Sequence, residues 1–164
     1  MRHAWALALG LIVVLALAAA CGDDNSTEPA GSSTATADAY AETLHFTRAG
    51  HDVTLNVEVA DEQGERAQGL MNVQSLPDDA GVLFVWPAET ESSFWMRDTV
   101  IPLSIAFVTA GGVLIDIQDM EPLSEERVLS PRPYRFAVEV NQGWFADNDV
   151  RVDDVLQLPA GVGS

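Results

Sequence analysis

Residues Asp52 to Ala60 read DVTLNVEVA. Val53, Leu55, Val57 and Val59 fall at every second position, with Thr54, Asn56 and Glu58 between them. A period of two, apolar on one side and polar on the other, specifies a strand with one buried face. Upstream, Thr43–Arg48 repeats the alternation through Leu44 and Phe46, and Ala49-Gly50 supplies a turn, so a hairpin is predicted. Downstream, short strands are predicted at Val82–Trp86, Phe94–Asp98, Ile105–Thr109, Val113–Asp119, Arg135–Val140 and Val155–Leu158. Ala110-Gly111-Gly112 joins the third and fourth of these, because glycine reaches positive φ in a tight turn. Glu62–Leu70 and Gly143–Asp147 read as helical, both too short to stand without tertiary packing. The expected fold is mainly β: a compact antiparallel jelly-roll-like sandwich or barrel with one or two short helices.

The segments before the first strand have a different character. Met1-Arg2-His3 is followed by an uncharged, Leu-, Val- and Ala-rich run from Ala4 to Ala20, ending Leu17-Ala18-Ala19-Ala20-Cys21. Small residues before a break suit a signal peptidase, and a cysteine directly after them resembles a bacterial lipobox. Residues 1–20 are therefore expected to be a lipoprotein-type signal, with Cys21 alkylated by diacylglycerol. The run is short for a comfortable membrane span, which disfavours an uncleaved anchor. Residues 21–39 hold no Leu, Ile, Val or aromatic side chain and are expected to be a flexible tether. One β-rich domain over 40–159 and a tail over 160–164 complete the expected organisation. The predicted location is extracytoplasmic, anchored to the membrane through the lipid on Cys21.

Composition bounds the partners. The 164 residues carry 25 Asp+Glu against 8 Lys+Arg, a formal net charge of −17, and every basic residue is Arg. Nucleic acid is excluded as a partner, because a phosphate backbone needs a basic footprint. A single cysteine rules out an internal disulfide and any cysteine-based zinc or iron–sulfur site. No cofactor is indicated, and a monomer is expected. The ligand is an unspecified small molecule, glycan or envelope protein.

A resemblance enters at the centre of the chain. Arg66-Ala67-Gln68-Gly69-Leu70-Met71, Gly81-Val82-Leu83-Phe84 and the block from Phe94-Trp95-Met96-Arg97-Asp98 through Phe107 carry it. Met120-Glu121-Pro122 and Val138-Glu139-Val140-Asn141-Gln142-Gly143 extend it. Together they resemble the bacterial and archaeal family known as domain of unknown function 192, also called uncharacterised protein family 0127. The resemblance spans about Val53 to Leu158. It implies a compact, mainly β, jelly-roll-like domain, often behind an export signal, and brings no catalytic mechanism. Three positions depart from the family pattern: Asp98 where Asn is usual, Ser104 where Asp is usual, and Asp153 before Asp154 where Gly-Asp is usual.

Candidate site residues follow from chemistry. Arg66 can anchor an anionic group, and Glu139 or Asp98 can handle a proton, so these three are the candidate catalytic residues. The plainer reading of Arg66 and Glu139 is a structural ion pair fastening the helix to the sheet, since no nucleophile accompanies them. Alternation places Phe94 and Met96 inward and Trp95 and Arg97 outward, so Trp95, Arg97 and Arg66 are the candidate ligand-binding residues. Met71, Met96 and Met120 could hold Cu(I) through their soft thioethers, but methionine is also an ordinary filler of cores. There is no Gly-x-Ser-x-Gly elbow, no His-Glu-x-x-His helix and no phosphate loop. The sequence therefore points to a lipid-anchored binding or accessory module of the cell envelope. A small enzyme on an envelope or extracellular substrate comes second, and a soft-metal carrier third.

Overall fold

The computed structural model describes residues 40–163. The expected signal, the lipidation site Cys21 and the tether lie outside the described residues.

Seven strands form one curled sheet: β1 (Glu42–Arg48), β2 (His51–Ala60), β3 (Ala80–Thr90), β4 (Leu103–Val108), β5 (Leu114–Met120), β6 (Tyr134–Asn141) and β7 (Val155–Gln157). Their order across the sheet is β5-β4-β6-β3-β2-β1-β7. The sheet curls until its edges meet. Val113 bridges Val155, and the Leu114 and Leu156 amides donate to Asp154 O and Gly112 O. Closing the edges removes the exposed ladder that edge strands otherwise present. The fold is therefore the barrel-like form of the expected β architecture, one curled sheet whose two edges touch over a short stretch.

The β1–β2 hairpin pairs Leu44 with Leu55 and turns at Gly50, whose φ is 76°. The β4–β5 hairpin turns at Gly112, φ 83°, as its glycine pair predicts. One expectation fails: β2 and β3 pair in parallel, Asn56 opposite Ala80 through Ala60 opposite Phe84. Parallel neighbours require a crossover of a dozen or more residues, and residues 61–79 provide it, with helix α1 (Gln63–Gln68) inside. The Glu65 carboxylate accepts from the Asp61 and Glu62 amides and fixes the start of α1. Helix α2 (Trp144–Asp147) places Trp144 and Phe145 against Phe46.

Central strands are buried on both faces, and alternation sorts their side chains into two clusters. Leu83, Val85, Ala106, Val108, Phe136, Val138 and Val140 pack with Leu44, Phe46, Leu55 and Val57. Val82, Phe84, Ile105, Phe107 and Ala137 face the other way and pack beneath the long connections, with Leu70, Phe94, Met96 and Met120. This second cluster explains two further departures. Glu139, expected on a solvated polar face, is buried, because it shares Ala137's face. Phe94–Asp98 is no strand: apart from an isolated bridge from Phe94 to Val128, it is a loop packed over that cluster. Nor do residues 160–163 hang free. The Arg135 guanidinium donates to Gly163 O at 2.6 Å, and Val162 packs against the first cluster.

Candidate ligand cavity over Glu139

The second face of the sheet opens into a cavity of about 430 Å³. Glu139 of β6 and Phe84 and Trp86 of β3 line it from the sheet. Arg66 of α1 and the following Gly69-Leu70-Met71 turn form one wall; Ser92, Ser93, Phe94, Trp95 and Thr99 form another, and Arg127 reaches in from the β5–β6 connection. Such a volume is in the ordinary range for a small-molecule site.

Local chemistry sets each of these positions. Pro87 cannot donate to the ladder, and β3 and β6 lose register between Val85 and Thr90. Trp86 sits at this bulge, edge-on to Tyr134 and Phe94. The two loops are laced together: Phe94 and Val128 exchange both backbone hydrogen bonds, and Met96 N donates to Ser124 O. Gly69 closes α1 with φ 44°; a β-carbon there would lie 3.1 Å from Phe84 Cζ and 3.7 Å from Glu139 Oε2. A side chain at 69 would therefore crowd the carboxyl and the ring beside it, besides straining the backbone.

Glu139 has unusual surroundings. It is 5% exposed, flanked across the ladder by Val82 and Ile105, and no hydrogen bond or ion pair reaches its carboxyl from the described residues. Its oxygens open into the cavity. Desolvation pushes its pKa from 4.5 up to about 8. At neutral pH the group is thus mostly protonated, able to donate a hydrogen bond or release a proton.

The expected Arg66–Glu139 ion pair is not formed, although both residues line the cavity. Arg66 is instead held by backbone: its Nη1 donates to Val85 O at 2.9 Å and to Asp61 O, and its guanidinium lies 5.7 Å from the Trp86 ring centroid. Helix and sheet are fastened through these carbonyls, which leaves the carboxylate uncommitted. Trp95 lines the cavity, and both Arg97 and Arg127 rest over its ring, at 3.8 and 4.2 Å. Phe94 and Met96 are buried and Arg97 is exposed, as alternation suggested. Arg97 faces Glu125 at 3.4 Å and does not line the cavity.

Asp98 is not a cavity residue. It has φ 58°, and its carbonyl accepts from Asn72 N. Asn and Asp tolerate that left-handed conformation best among non-glycine residues, so a turn accounts for the choice. Asp153 likewise has φ 74°, the conformation for which glycine is favoured. Ser104 is buried elsewhere, where its hydroxyl donates to Asp119 Oδ1 at 2.5 Å and accepts from Gly143 N at 2.9 Å. Of the methionines, Met96 and Met120 are core and Met71 lines the cavity, so packing accounts for two of the three. Among the described residues no three His, Cys, Asp or Glu side chains cluster as metal ligands. Sequence reasoning missed Arg127, which lies in a connection without periodicity. It placed Trp86 only at the end of a short predicted strand, Val82–Trp86.

Comparisons with known proteins show the family and establish no activity for this chain. A model of the family DUF192, described as "Uncharacterized ACR", matches residues 44–158. No curated protein matches the chain. Among solved structures, a protein from Sinorhizobium meliloti 1021 described as a candidate transcription regulator is 29% identical, with TM-score 0.69, covering 73% of this chain and 95% of that one. A protein of unknown function from Novosphingobium aromaticivorans is 26% identical, also with TM-score 0.69, covering 83% and 99%. Arg66 to Met71, Phe94-Trp95 and Glu139, three separated parts of the resemblance, all line the one cavity.

Proposed function

The chain belongs to the DUF192 family of unassigned function, and from that premise we propose that it is a small-molecule-binding module whose site is the cavity over Glu139. The observation that carries this reading is the Glu139 carboxyl, 5% exposed and without a partner among the described residues, at an opening of about 430 Å³. Burying a polar group without a hydrogen bond costs roughly 1–3 kcal/mol by protein mutational data. The cavity leaves the Glu139 oxygens within reach of solvent or ligand, so the group carries part of this cost as desolvation, and a carboxyl kept in such a recess suits a ligand that would complete its hydrogen bonding. The sequence adds the setting: export through residues 1–20, lipidation of Cys21 and a tether that holds the domain off the membrane, which makes it an envelope accessory module. Binding to nucleic acid is not proposed, because acidic residues outnumber basic ones 25 to 8.

A melting-temperature screen of small metabolites against the full chain, run beside Glu139→Leu, tests the site. Compounds that bind there raise the wild-type melting temperature and lose that effect in the variant. Equal shifts in both proteins would place binding elsewhere. Localisation has its own test: Cys21→Ser should move the protein from the membrane to the soluble extracytoplasmic fraction. A variant that stays on the membrane refutes the lipid anchor.

A second reading, a small enzyme, has one observation in its favour. A carboxyl with a pKa of about 8 can exchange a proton near neutral pH, and Arg66 lines the same cavity. Conversion of a bound compound by the wild type, and not by Glu139→Gln, would establish it; recovery of the compound unchanged would leave the binding module.

A further inference from the structure

Resting on the reading of the cavity as a ligand site, we infer that its ligand is a small monocarboxylate, its charge held by Arg66 and Arg127 and its uncharged body lying against Trp86 and Phe94 beside Glu139. The first ground is the distribution of arginine partners. In a chain with 25 acidic residues, Arg48, Arg97 and Arg151 each face a carboxylate. Arg66, Arg127, Arg132 and Arg135 face none among the described residues; Arg135 is taken up by the Trp86 and Gly163 carbonyls, and of the four only Arg66 and Arg127 line the cavity. The second ground is preorganisation. Arg66 spends Nη1 on two backbone carbonyls, so its guanidinium is fixed while Nε and Nη2 have no acceptor among the described residues. Arg127 donates to Ser93 Oγ at 3.4 Å and is steadied over the Trp95 ring. A planar guanidinium fork with a free edge matches a carboxylate.

The third ground sets the charge of the ligand. Two cations, one of them exposed, suit a single negative charge; a phosphate dianion would call for more donors and would meet the strongly negative protein field. The charged groups facing Glu139 across the cavity are Arg66 from α1 and Arg127 from the β5–β6 connection. The neighbouring strands present Val82, Phe84 and Ile105, and the turn after α1 presents Gly69. A neutral Glu139 donates a hydrogen bond to an oxygen of the ligand. Its ionised form would repel the carboxylate.

Calorimetric titration of the full chain with glucuronate and benzoate, and with the neutral amide of each, tests the inference. At least one acid should bind saturably while its amide does not. Arg66→Gln should weaken that binding about tenfold or more, and the exposed Arg127→Gln by less. Affinity should fall as pH rises through about 8 in the wild type and stay level in Glu139→Gln. Melting of each variant separates loss of binding from loss of fold, and Arg127→Gln, on an exposed loop, leaves the core untouched. Binding of the amides or of choline in place of the acids overturns the monocarboxylate and keeps the cavity as a ligand site. No saturable binding of either acid overturns the inference. If, in addition, the metabolite screen yields nothing sensitive to Glu139→Leu, the reading beneath it falls as well.

Discussion

Glu139 gives the fold a pH dependence of definite sign. Its folded pKa, about 8, lies above the ordinary value of 4.5, so between these values the native state holds more protons than the unfolded chain. The stability linked to this group is complete below pH 4.5 and is lost as pH rises towards 8, at no more than about 1.4 kcal/mol per pH unit. Glu139→Gln carries no such titration. The difference in unfolding free energy between the two proteins, followed by urea from pH 4.5 to 9, should tilt against the wild type and level off above 8. A flat difference would mean the carboxyl is solvated or paired. Other single residues were only half legible: Asp98 and Asp153 stood out in the sequence as departures from the family pattern, but not as turn residues. The left-handed backbone at Asp98 and Asp153 explains why Asn and Gly are usual there, so two apparent departures from the family are turn chemistry. The burial of Glu139 was not legible, since a glutamate between valines reads as the outward side of a strand. Only the loops packed over that side reveal otherwise.

The strands and hairpins could be read from alternation and glycine placement, because those signals are local. What escaped is what depends on distant pairing: the parallel β2–β3 ladder, the bulge at Trp86, and the loop over 94–98, whose aromatic residues imitate a strand. Ser104 shows how one element adjusts to another. Its hydroxyl joins β4 to Asp119 of β5 and to the Gly143 amide at the start of α2. The usual aspartate at 104 would place a second carboxylate against Asp119 in the same part-buried contact. Ser104→Asp should therefore destabilise the protein by about 1–3 kcal/mol, and Asp119→Ser added to it should restore much of the loss. Denaturant melts of the single and double variants measure the coupling. Independent, additive effects would show that the two positions do not act together.

The whole molecule carries −17, or −18 once Arg2 leaves with the expected signal. Such a surface repels itself, and salt screens the repulsion. The melting temperature should rise by several degrees between 50 mM and 1 M KCl; a fall would mean that the ion pairs Arg48 makes with Asp149 and Asp154 outweigh the net field. Against that acidic background, a largely buried carboxyl, unpaired among the described residues and opening into a cavity between two long loops, is the feature that packing alone does not explain. If it is retained for a ligand, its removal must help the fold even as it ends binding. The direct measurement is the unfolding free energy of Glu139→Leu at pH 7. A binding role predicts a gain of about 1–3 kcal/mol over the wild type. A loss of several kcal/mol would make Glu139 a structural residue and contradict the account.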